Sequence, residues 1–297
     1  MRVTSLFTVA GHSAPAARLA VVRILVGGYT LVRLGRKRQT LRQVVRTDPA
    51  LFAPVGPVRV LRAPLPPRVA DLMNDATLAS AALFTLGCGH RAVGPLHSML
   101  LGWTLSYRNS WSMIYHDDNM LVMHTALLGA APASDALSLD SLAAGAGPAP
   151  HPRYGLPLLF MNAASAIGYF LAGVAKVAGP SGWGWARGET MRRHIAVDAI
   201  RKHFFGLPVA PAAHVLYRYR VLFTAMGIGS LVLELGAPLG LFNRRIGRCW
   251  VAATYGLHWG IQVIMGIPFP YQLSGVSFVS WFHAERLLPL RARFTKR

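Results

Sequence analysis

Eight apolar stretches separated by short basic blocks constrain this chain more than any other feature. They run from about Ala16 to Val32, Val69 to Gly87, Ala92 to Tyr107, Met120 to Ala133, Tyr154 to Val177, Val221 to Phe242, Ile246 to Ile267 and Tyr271 to Leu288. A helix that crosses a bilayer needs roughly 17–25 mainly apolar residues, and most of these stretches approach or reach that length. Met120–Ala133 reaches it only if the polar residues before it are also helical and buried in protein. The expected fold class is therefore all-α: a polytopic integral membrane helical bundle of about eight transmembrane helices in a multi-pass protein of the cell membrane. An N-terminal tail (1–15), one transmembrane domain (16–289) and a basic C-terminal tail (290–297) complete the expected organisation.

Composition agrees. Of 297 residues, 53% are hydrophobic and only 14% charged, with a mean hydropathy of +0.37, too apolar for an ordinary soluble domain. The net charge of +20 lies in short blocks between apolar runs, without a basic recognition helix or a stacking platform, so nucleic acid is not the expected partner. The anionic headgroups of a lipid bilayer are. Two cysteines, Cys88 and Cys249, make neither a disulfide framework nor a metal-binding pair, and are expected as small buried residues. Gly11, His12 and Pro15 interrupt the N-terminal apolar core, which argues against a cleaved signal peptide.

The connecting segments carry their own signals. The basic, proline-rich link after Val32 contains a piece, Gln39–Arg46, that could lie on headgroups as an amphipathic helix. Pro132–Arg153, rich in Ala, Gly, Ser and Pro, reads as a flexible loop. The segment after Ala178 mixes apolar and basic residues at helical spacing, which predicts an interfacial or re-entrant helix. The "NRRIGR" turn and the basic tail point to the cytoplasm, although an even helix count then puts the basic first link outside. No internal repeat supports an inverted-repeat transporter.

Four polar features fall inside or at the lip of the apolar runs, where polar groups need a reason. Lys176 closes "YFLAGVAKV"; it is either a snorkelling anchor or a buried amine able to act as a base. The chain has four lysines against 27 arginines, and arginine cannot be deprotonated in proteins. In "YHDDNMLVMHTAL", Asp117 and His124 share a helix face with His116 and Met120 nearby. This is a possible His–carboxylate pair or an acidic cap on the fourth helix, with no third histidine to make a metal site. His258 and Gln262 lie one turn apart in a run without charge, as structural or catalytic groups. Glu234 either pairs with a base such as Arg23 or handles protons.

At these residues the chain resembles a known family. An Arg-bearing first helix, "LFAPVGPVRVL", "RNSWSMIYHDDNMLVMHTALLG", "YFLAGVAKVAGPSGWGWARGETM" and "LHWGIQVIMGIPFPYQL" are similar, in order and spacing, to the HTTM domain. This is the membrane core of vitamin K-dependent gamma-carboxylases and of many bacterial relatives, and the resemblance covers roughly residues 16–289. It implies that Lys176 is the base that deprotonates a quinol of the vitamin K hydroquinone kind, in an apolar pocket that shields the chemistry from water. It places His258 and Asn119 as further catalytic positions, with Asn119 standing where the carboxylases have a histidine and His116 the nearest substitute. Asp117, His124, Trp183 and Gln262 are the expected substrate-binding residues. The chain ends soon after the last run, so carboxylation of protein glutamates is expected to need a partner.

Two functions remain open. One is quinol-linked redox or peptide-modifying chemistry with Lys176 as base. The other is a non-catalytic membrane accessory for the maturation or export of a small secreted peptide.

Overall fold

The computed structural model describes residues 12–142 and 148–288. The first eleven residues, which hold most of the expected N-terminal tail, and the basic tail 290–297 lie outside the described residues. Among the described residues the chain is all-helical, and its only β-type pairing is an isolated bridge between Ala14 and His151. Two compact units divide it. One comprises residues up to 161 together with those from 282 onward; the other is 162–281.

The first unit is built on helices α1 (Ala16–Val44), α2 (Pro67–Leu86), α3 (His90–Asn109) and α4 (His116–Ala130), followed by the single turn α5 (Leu139–Leu142) and the start of α6 (Pro152–Ala178). Helix α1 does not end with its apolar run. "RLGRKRQTLRQV" contains no proline and many good helix formers, so the helix continues through the basic stretch. Arg38 and Arg42 reach Asp75 at 2.9 and 2.7 Å, and Arg46 reaches Asp71 at 2.6 Å. The four-residue spacing on both helices aligns these charges. The piece expected to lie on headgroups, Gln39–Arg46, is thus mostly the end of α1, held against α2 by exposed ion pairs of small individual worth.

The proline-rich link is also ordered. Val58 is fully buried among Phe52, Tyr107 and Trp111, and the Tyr107 hydroxyl accepts a 2.9 Å bond from the Leu65 amide. Pro132–Arg153, expected to be flexible, is anchored through its first half. The Asp140 carboxylate caps α3 by accepting from the Gly89 and His90 amides at 2.7 and 2.9 Å, and the Leu137 carbonyl accepts from buried Arg23 at 2.6 Å. Residues 282–288 join this unit through a bidentate pair between Arg18 and Glu285, both bonds 2.8 Å.

The second unit contains the rest of α6, a 3-10 turn (Gly182–Arg187), α7 (Glu189–Phe204), α8 (Pro211–Leu216), α9 (Arg220–Leu235), α10 (Leu239–Phe242), α11 (Arg244–Met265), α12 (Pro270–Leu273) and a 3-10 segment (Val276–Trp281). Trp250 and Phe278 centre one core and Ile195, Phe223 and Ile264 another. The eighth apolar run is not a helix. After α12 the chain turns at Gly275, whose φ of +74° lies in the left-handed region, and continues in short 3-10 pieces. Cys249 is exposed on α11, and Cys88 half-buried, so neither is the buried residue expected.

Among the described residues, one helix is long and apolar enough by itself to cross a membrane: α6, with 27 residues. At 1.5 Å per residue it extends about 40 Å. Phe160, Ile167, Leu171 and Val174 form an exposed apolar stripe along it at helical spacing. Among the other helices, α1 carries Arg18, Arg23 and Arg33 within its apolar run and α2 carries Asp71 and Asp75, polar and basic residues dilute α3 and α11, and α4 and α9 are only 15 and 16 residues long.

Candidate functional site

In the second unit, residues of α6, the 3-10 turn, α7, α9 and α11 line an open cavity of about 800 Å³. Its walls are mostly apolar, with Ile195, Met226, Leu233, Leu257, Ile261 and Phe269 prominent. Glycine makes the space. Gly229, Gly256 and Gly260 line it, and a Cβ at any of them would meet no atom within 4 Å. Interior helix glycines cost roughly 0.5–1 kcal/mol each relative to alanine, so three of them facing an open volume call for a use of that volume.

The polar groups of the wall gather at Lys176 and Glu234. The Lys176 ammonium donates to both carboxylate oxygens of Glu234 at 2.7 Å, with the lysine side chain 22% and the glutamate 9% exposed. Gly173, one turn before Lys176, permits this contact: a Cβ there would sit 2.9 Å from the Glu234 Cβ, so only glycine lets α6 approach α9 closely enough. Trp185 covers the pair, its ring centroid 5.2 Å from Nζ, near the distance of a cation–π contact. Its indole N–H is fixed on the Ser230 hydroxyl at 3.0 Å.

Behind the pair lies a second set of hydrogen bonds. Tyr169 and His258 Nε2 share a 2.6 Å bond, Gln272 reaches the same tyrosine hydroxyl, and the His258 ring packs tilted against Phe269 of the cavity wall, with centroids 4.9 Å apart. His258 is therefore one ring removed from the cavity. Gln262, a turn further along α11, does not line it and leaves its Oε1 buried without a hydrogen-bond partner.

The structure thus joins Lys176 to Glu234, where the sequence suggested Arg23 as the glutamate's partner; Arg23 is committed to the Leu137 carbonyl. It also exchanges one tryptophan for another. Trp183 is 66% exposed, while Trp185 packs on Lys176, because residues two apart in a 3-10 turn point in different directions. "GWGW" contains both, and periodicity alone does not choose between them.

The remaining candidates belong to the first unit. Asp117 and Asp118 open α4, yet they neither face solvent nor cap the helix. Both are buried on Arg33 of α1, at 2.7 and 2.6 Å, and Asp118 also accepts from Arg108 of α3. Arg33 donates further to the Tyr29 hydroxyl at 2.8 Å. Arg33 and Arg108 sit at the polar ends of apolar runs, where hydropathy gives them no sign of a buried role. His124 is fully buried, with Nε2 3.3 Å from the Met161 carbonyl, so Asp117 and His124 bond to different partners. His116 and Asn119 are exposed in the first turn of α4. Among the described residues no three His, Cys, Asp or Glu side chains gather to hold a metal ion.

Compared with protein-family models, with curated proteins and with solved structures, the sequence matches none.

Proposed function

We propose that the protein is a multi-pass integral membrane protein of the HTTM kind that takes up an amphiphile with a hydroxylated aromatic head, of the quinol class, in the cavity of the second unit. The observation that carries this reading is an apolar cavity of about 800 Å³ with a lysine–glutamate pair in its wall. Volumes of this size suit a small ligand buried on most of its surface and oriented by a few polar groups. The exposed apolar stripe of α6 supports a lipid environment, and the resemblance of "YFLAGVAKV" supports a working role for Lys176.

A quinol, when bound, supplies a hydroxyl proton and reducing equivalents. On the protein side, the Glu234 carboxylate is the acceptor for a hydroxyl proton, and the Lys176 ammonium provides the counter-charge for the oxygen left behind. This divides between two residues the work that the resemblance gives to Lys176 alone, since the amine here already donates to both oxygens of a carboxylate. Trp185 and the apolar wall limit the water that reaches that exchange. This arrangement supports the proton-removal step with which quinol-linked redox or peptide-modifying chemistry would begin.

A second reading, a non-catalytic accessory for maturation or export of a secreted peptide, is favoured by one observation: Asn119 and His116 are surface residues. Mass spectrometry of molecules retained by the purified protein separates the two. An isoprenoid quinone retained by wild type and lost in Gly256→Leu, which projects a side chain into the cavity, supports the first. A retained peptide, with no quinone and no effect of Gly256→Leu, overturns it in favour of the second.

A further inference from the structure

Helix α7 buries charge and exposes apolar residues. Beside the core residue Ile195, its inward side carries Arg192, Asp198 and Lys202, each with a partner: Arg192 pairs with the half-exposed Glu189 at 3.1 Å, and Asp198 with Lys202 at 2.8 Å and with the exposed Arg201 at 3.1 Å. Its outward side carries Val197, Ile200 and Phe204, 63%, 69% and 81% exposed, at spacings of three and four residues. Phe205 and Leu207 extend this apolar surface beyond the helix end. In water such a stripe has no reason to be solvated while paired charges occupy the interior; against lipid the arrangement is the favourable one.

Charge says which lipid. From residue 191 to 220 the chain has six arginines and lysines and one acidic residue, Asp198, which is buried in the pairs above. Arg193 projects from the N-terminal end of the apolar stripe with its side chain 78% exposed, and Arg218 and Arg220 are exposed beside α8. Apolar residues with cations at their margin match an anionic leaflet, in which the first enter the acyl boundary and the second meet headgroup phosphates.

We infer that α7 and the segment that follows it, through Leu207, form a docking surface for an anionic membrane leaflet. Val197 and Arg201 belong both to this surface and to the cavity wall, so the surface brings the cavity's edge to the lipid phase and lets an amphiphile pass into it without crossing water. The inference rests on the membrane reading above and is independent of the identity of the cavity's ligand.

The test uses the full chain with Cys88→Ser and Cys249→Ser, and a single new cysteine in Ile200→Cys or Phe204→Cys carrying an environment-sensitive fluorophore. The protein is reconstituted in phosphatidylcholine alone or mixed with phosphatidylglycerol, with doxyl groups on a fraction of the acyl chains. Blue-shifted emission, quenched by the doxyl lipid and enhanced by phosphatidylglycerol, is expected, with most of the enhancement lost in Arg193→Gln/Arg218→Gln. Water-like emission in both lipids overturns the inference. So does burial of the label that follows protein concentration instead of anionic lipid, which would identify a second copy as the partner. Carbonate extraction tests the spanning reading separately: protein that washes off the membrane yet still shows lipid-dependent quenching contradicts spanning and leaves the docking surface in place.

Discussion

Each unit of the chain holds a buried ionic cluster, and the two are built differently. In the first unit, Arg33 and Arg108 clamp Asp117 and Asp118 among three helices. In the second, Lys176 holds Glu234 between two helices beside an open cavity. Arginine keeps its proton and offers a planar fork of donors, which suits a permanent fastening. Lysine has one flexible ammonium, and it lies here where a ligand can reach the pair. The comparison separates a fastening from a site: burial and charge are common to both, while an exchangeable proton and adjoining space belong to one.

The largest expected effect breaks the fastening. Arg33→Leu leaves two buried carboxylates short of a partner and should cost about 3–5 kcal/mol, read as a fall in the unfolding midpoint in detergent. Lys176→Met should cost less, about 1–3 kcal/mol, because a single carboxylate at a cavity edge is stranded. The double variant Lys176→Met/Glu234→Leu should regain most of that loss, since removing both partners of a buried pair is often neutral. A Lys176→Met loss equal to that of Arg33→Leu would erase the distinction between the clusters.

Much of this fold was legible in the sequence. The apolar runs mark α2, α3, α4, α6 and α11 within a few residues, α1 runs twelve residues past its run and α9 stops seven short of the end of its own, and the mixed apolar and basic spacing after Ala178 marks α7. Over the last run, Tyr271–Leu288, hydropathy predicts a spanning helix that the chain does not form, because hydropathy registers composition and not the left-handed turn at Gly275. Lys176 and Glu234 each stood out as charges in apolar surroundings, yet their pairing depends on the approach of α6 to α9 at Gly173, a packing fact that one-dimensional spacing does not hold. The cavity had a signal that went unused: Gly256 and Gly260, four apart in the middle of a long helix, put two missing side chains on one face.

Smaller effects sharpen the comparison. Gly256→Leu points a side chain into open space and should change stability by no more than about 1 kcal/mol, while weakening uptake of a ligand that lies against α11. Trp183→Ala should fall within about 0.5 kcal/mol of wild type and leave ligand uptake intact, whereas Trp185→Ala uncovers the ion pair and weakens it. The smallest effect belongs to Asp140. Burial pushes its carboxyl up, but the His90 and Gly89 amides outweigh this and hold it below the ordinary carboxylate range. The stability it contributes is present above the unfolded-state pKa of about 3.9 and is lost as pH falls through the lower folded value. Wild type and Asp140→Asn should therefore differ in unfolding midpoint near neutral pH and converge in acid; a difference that persists in acid would assign the effect to something other than the cap.

Equilibrium binding of a short-chain naphthoquinol to the protein in phospholipid nanodiscs tests the central claim most directly. Wild type should bind one quinol per chain saturably, and Lys176→Met/Glu234→Leu, with its fold retained, should bind at least about tenfold more weakly, the worth of one charge-assisted hydrogen bond. Equal affinity in the two proteins would contradict the assignment of the Lys176–Glu234 cavity as the quinol site.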